Sequence, residues 1–136
     1  MKKAHYRKGY KYQLAKDLVI PTNIFPIADI VTQFIKLTTT GLLTLKSGYS
    51  SDGPSGPTID TKSSMRGAFA HDGGYQLLRM GYLGQEFRKQ FDQLAFALWT
   101  EDKMWKWRAR RWYRALRKLG SSAADPKNVK KVYIAP

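Results

Sequence analysis

The chain has 136 residues, 24 Lys+Arg against 10 Asp+Glu, a formal net charge of +14 and no cysteine. Its 43% hydrophobic content is enough for the packed core of one domain and excludes wholesale disorder. Lack of cysteine excludes a disulfide scaffold and a thiolate metal site, and no run reaches the ~18–20 apolar residues that span a bilayer.

Met1-Lys2-Lys3 begins like a secretory leader, but Tyr6-Arg7-Lys8-Gly9 follows in place of an apolar stretch, so no leader is expected. Positions 1–47 read mainly as short strands. Tyr10, Tyr12 and Leu14 alternate with polar neighbours. Pro21 and Pro26 punctuate the chain before a hairpin. There Ile35 and Leu37 share one face, Thr38-Thr39-Thr40-Gly41 turns, and Leu43 and Leu45 return on the same parity. Positions 48–60 are a loop by composition, centred on Asp52-Gly53-Pro54-Ser55-Gly56-Pro57.

From about position 61 the period becomes helical. His71, Tyr75, Leu78 and Tyr82 recur at i, i+4, i+7 and i+11, beside a second stripe through Met65, Phe69, Asp72, Gln76 and Arg79. Gly81 and Gly84 bracket a break. A second helix is predicted over 85–100, with Phe87, Phe91, Leu94, Ala95 and Leu98 as its apolar face. A third is predicted over 103–119, stopped by Gly120. The tail at 121–136 adds a short strand at Val132-Tyr133-Ile134. The expected architecture is a single α+β domain over 1–136, a small N-terminal antiparallel sheet packed on a helical hairpin and a third, basic helix.

The hairpin sets the candidate site. With its turn near Tyr82, His71 lies 11 residues before and Asp92 10 after. At ~1.5 Å per residue both stand about 15–17 Å from the turn, level on antiparallel neighbours. One carboxylate then orients the imidazole while Asp72 points elsewhere. In that arrangement His71 takes a proton from water, Asp92 fixes its tautomer, and Asp72 helps to hold a cation. Calcium suits oxygen donors from the loop, with Tyr49, Asp52, Gly53 and Gly56 as candidates beside Asp72. Zinc is short of ligands, and Ser63 and Ser64 lack a Gly-x-Ser-x-Gly setting.

Nearly the whole chain resembles the phage-encoded domain-of-unknown-function family 1353. The blocks that carry the resemblance are Gly48-Tyr49 with the loop as far as Asp60, Met65-Arg66-Gly67, His71-Asp72 with Tyr75-Gln76, and Asp102-Lys103-Met104 with Arg110, Tyr113, Arg114 and Ala115. A shorter stretch is similar to the core of secreted phospholipase A2: a Gly-rich loop, His-Asp-x-x-Tyr on one helix, and Asp on the next. By that resemblance His71 matches the general base, Asp72 the calcium carboxylate, Tyr75 the active-site tyrosine and Asp92 the histidine-orienting aspartate. The chain departs from the pattern in having no disulfides and in placing prolines where that family has glycine and cysteine. The resemblances imply a tailed-phage protein, in a virion or an infected bacterial host cell. They also imply a calcium-dependent hydrolase acting on an ester of bacterial phospholipid.

Three features keep a blander reading open. A His-Asp pair on a helix serves as packing and capping in many proteins. Gly73-Gly74 suits a tight helix crossing as well as a site. On the third helix, Lys106, Arg110, Arg111, Arg114 and Arg117 interleave with aromatic residues. Such a face suits nucleic acid, an anionic lipid surface, or simple core packing with a solvated basic side. The alternative function is a non-catalytic virion, tail or assembly protein that uses this helix to bind neighbouring phage structural proteins or DNA.

Overall fold

A computed structural model describes residues 4–7, 12–51 and 62–125, and the statements below concern these residues. The expected Tyr10 strand position and the 132–134 strand lie outside them. Seven short strands precede three helices: β1 (Tyr6–Arg7), β2 (Tyr12–Leu14), β3 (Leu18–Pro21), β4 (Ile30–Val31), β5 (Ile35–Leu37), β6 (Leu42–Leu45) and β7 (Ser50–Ser51), then α1 (Lys62–Arg79), α2 (Arg88–Glu101) and α3 (Lys106–Ala124). The architecture is α+β, with every strand pairing antiparallel. The strands form two sheets, ordered β1-β2-β7 and β3-β6-β5-β4.

The β5–β6 hairpin follows from its alternation. Ile35 pairs with Leu45 and Leu37 with Leu43, and all four are buried. Gly41, at φ +88°, closes the turn with its N–H donating to the Thr38 carbonyl. Strand β3 falls within the region expected to be strands and ends on Pro21. It is an edge strand paired only with β6, where a missing N–H costs no ladder bond.

Helix α1 is the central element, buried around most of its circumference against α2, α3 and the sheets. Small residues make that possible. A Cβ on Gly74 would collide with the fully buried Phe91 ring of α2, whereas one on Gly73 would meet only the Cδ2 tip of Leu45, at 2.6 Å. Gly74→Ala is therefore expected to destabilise by about 1–3 kcal/mol through overpacking, despite the ~1 kcal/mol that alanine returns in helix propensity. Gly73→Ala, where an aliphatic tip can rotate away, costs less. Denaturant midpoints of the two variants give the order.

Three boundaries differ from the expectation. Residues Gln85–Phe87 form a 3-10 turn before α2. The turn between α2 and α3 puts Lys103 at φ 74°, so α3 starts at Lys106. Gly120 does not stop α3, which runs on to Ala124. A Cβ at this position would collide with the Tyr75 hydroxyl, so glycine here admits a neighbour from α1. Buried side chains form one cluster joining the sheets to α1 and α2, and a smaller one of Ala95, Trp99, Met104 and Ala109 between α2 and α3. Among the described residues no helix is long and apolar enough to cross a membrane.

Candidate functional site

The helical hairpin sets His71 and Asp92 face to face. Imidazole Nε2 lies 2.7 Å from Asp92 Oδ1, and the Tyr75 hydroxyl donates to the same oxygen at 2.6 Å. Tyr75 is one turn beyond His71, and the two rings stack with centroids 3.9 Å apart. The second carboxylate oxygen belongs to arginines. Arg117 Nη1 of α3 donates to Asp92 Oδ2 at 2.7 Å, and Arg88 Nη1, one turn before Asp92, stands 3.6 Å from it. Arg88 also donates to the Tyr75 hydroxyl at 3.3 Å and to the Leu116 carbonyl at 3.2 Å, tying α2 to α1 and α3.

Asp92 is 0% exposed. Burial by itself would raise its pKa, but hydrogen bonds from His71 and Tyr75, the charge of His71 and the hydrogen bond from Arg117 more than reverse this. The carboxyl is held below its ordinary value and stays an anion at neutral pH. An anion can only accept, so the proton between the pair resides on His71 Nε2. In the neutral tautomer that bond selects, the ring carries its lone pair on Nδ1.

That second nitrogen has a way out. His71 is 7% exposed, and no fully buried side-chain nitrogen or oxygen among the described residues lacks a hydrogen bond. With Nε2 committed to Asp92, the remaining exposure serves the Nδ1 edge.

Tyr75 sits on the other side of the proton ledger. Burial, followed by the Asp92 hydrogen bond and charge, raises its pKa well above the ordinary 10.0. A raised value means the folded state holds this proton more tightly than the unfolded chain. The resulting stabilisation is complete below pH 10 and is lost as the pH climbs toward the folded value. The protein is expected to lose stability above about pH 10, and Tyr75→Phe to lose less over that interval, as read from unfolding midpoints on an alkaline series.

The expected cation donors fall only partly within the described residues. Asp52, Gly53 and Gly56 lie outside the described residues. Asp72 points away from Asp92 and accepts a hydrogen bond from the Ser51 hydroxyl of β7. The Tyr49 carbonyl accepts from the Leu14 N–H at 2.9 Å, so the β2 strand already occupies that donor, and the Tyr49 ring packs in the core. Among the described residues no three His, Cys, Asp or Glu side chains cluster to hold a metal.

Of the basic residues assigned to the α3 surface, Lys106, Arg110, Arg111 and Arg114 are exposed, as expected. Arg117 is a correction, because its guanidinium turns inward to Asp92. The sequence reading also missed Arg88 as a site residue. Its signal was there, an arginine four positions before an acid on one helix. Arg117 had no such signal, because its partner is on another helix.

No family model, curated protein or solved structure matches the chain.

Proposed function

We propose that the chain is a tailed-phage protein of the family-1353 type with a phospholipase A2-like core, hydrolysing an ester of bacterial phospholipid. The observation that carries this reading is the His71 Nε2–Asp92 Oδ1 contact of 2.7 Å, with Tyr75 on the same oxygen and Nδ1 on the open edge.

Nδ1 takes a proton from a water molecule as the water oxygen bonds to the ester carbonyl carbon. The carbonyl π electrons move to oxygen and give a tetrahedral oxyanion. When the C–O bond to the alcohol breaks, its electron pair leaves with the alcohol oxygen, and the imidazolium returns the proton there. Asp92 stays ionised throughout and compensates the positive ring, while Tyr75 and Arg117 keep the carboxylate from turning.

Calcium is the second part of the proposal. The described residues do not complete a site for it, so no step above passes through the ion. Asp72, with Asp52, Gly53 and Gly56 of the loop, would hold it, and a bound calcium would polarise the ester carbonyl and stabilise the oxyanion. The test is release of fatty acid from phosphatidylglycerol vesicles, with calcium and with chelator. Release is expected from the wild type, with loss in His71→Ala and in Asp72→Asn. A folded wild type that releases nothing at any calcium concentration overturns the hydrolase reading.

One observation favours a second reading. All four groups around Asp92 come from three different helices and saturate it, which is also how a structural pin is built. On that reading the chain is a virion or assembly component. Its incorporation into purified particles is then stoichiometric and persists unchanged in His71→Ala.

A further inference from the structure

Trp105 and Trp107 are 70% and 58% exposed, unlike Trp99 and Trp112, which pack edge to face at the α2–α3 contact. The two exposed indoles lie 6.0 Å apart, tilted by 43°, where the α2–α3 turn runs into α3. From there the outward face of α3 runs Lys106, Arg110, Arg111, Arg114 and Lys118, all exposed, with no acid between Lys103 and Lys118. The nearest acid before it, Asp102, is taken by a bidentate Arg66, which also pairs with Glu101 at 3.1 Å. Among the described residues the face is therefore an uncompensated strip of positive charge with an aromatic tip.

We propose that this strip docks on an anionic phospholipid bilayer, with Trp105 and Trp107 seated at headgroup depth. Charge complementarity selects an anionic partner. The placement of the indoles separates a bilayer from nucleic acid. A single-strand platform spaces free ring faces along a groove so that bases can stack on them. Here the exposed indoles sit together at one end, tilted by 43° to one another, whereas the remaining strip carries charge and no exposed aromatic side chain. An aromatic tip with a cationic helix beside it is the pattern of an interfacial anchor. The choice of lipid rests in part on the hydrolase reading, which places the substrate in the same surface.

Docking is measured on His71→Ala, so that it is scored apart from hydrolysis. Co-sedimentation with vesicles of phosphatidylglycerol and phosphatidylethanolamine is expected, with little binding to phosphatidylcholine and a steep fall with salt. Each surface cation contributes about fivefold to the partition, equivalent to ~1 kcal/mol, so Arg110→Gln/Arg111→Gln weakens it about twentyfold to thirtyfold. Brominated lipid is expected to quench tryptophan emission, and Trp105→Ala/Trp107→Ala to remove most of that quenching. Both double variants change exposed side chains only, and an unchanged unfolding midpoint checks that they fold. Three results overturn the proposal: no preference for anionic vesicles, binding untouched by both double variants, or single-stranded DNA bound more tightly than vesicles at equal salt. If the His71→Ala protein docks but the wild type releases no fatty acid, docking stands and the hydrolase reading fails alone.

Discussion

Replacing Asp92 by alanine is expected to destabilise the protein by about 3–5 kcal/mol, the cost of removing one partner from a buried ionic network. The side chain is 0% exposed and holds His71 and Tyr75 on one oxygen, Arg117 and Arg88 on the other. Without it, Arg88, whose side chain is 15% exposed, keeps a charge with only neutral partners, the Tyr75 hydroxyl and the Leu116 and Arg117 carbonyls. Arg117 is 32% exposed and can turn toward water, which puts the loss at the lower end of that interval. Asp92→Asn keeps the shape but offers an NH₂ donor where Arg117 also donates and loses the charge that Arg88 faces, so it recovers little.

The pH dependence tests the same assignment. Asp92 is held below its ordinary 3.8, so the unfolded chain binds this proton more readily than the folded protein. Its stabilisation is complete above pH 3.8 and is lost as the pH falls through the lowered folded value. Urea midpoints taken from neutral pH down to about pH 2 should show that acid limb in the wild type and a shallower one in Asp92→Asn. Equal slopes would place the acid sensitivity on other carboxylates.

What the sequence disclosed depended on whether the determinant was local. The β5–β6 hairpin was legible because alternation and a Thr-Gly turn lie within a dozen residues. The pairing of His71 with Asp92 was legible because two helices joined by a short break must run antiparallel, so counting from Tyr82 fixes their heights. Gly120 misled because glycine ends many helices, and only the approach of Tyr75 from α1 explains it inside one. The inward turn of Arg117 depends on how α3 lies across the hairpin, and helical period carries no information on that crossing. For the same reason the period does not tell that Trp105 stands in solvent while Trp112 packs against Trp99.

The largest effect on activity is expected at His71. A positioned general base contributes about 10²–10⁴ in rate, so His71→Ala should lower kcat for ester hydrolysis by at least 10³-fold with KM little changed. Asp92→Asn, tested at a temperature where it remains folded, should lose about as much. Without the carboxylate the ring can turn its proton toward Nδ1, and the imidazolium loses its counter-charge. Tyr75→Phe separates orientation from chemistry. Its hydroxyl touches Asp92 and Arg88 but transfers no proton in the reaction, so a loss under about tenfold is expected, with ~1–2 kcal/mol of stability. Comparing the two variants then discriminates between a base and a pin. If His71 is the base, hydrolysis is lost in His71→Ala and largely retained in Tyr75→Phe. A wild type whose hydrolysis survives in His71→Ala would assign the ring to structure and move the chemistry to another part of the chain.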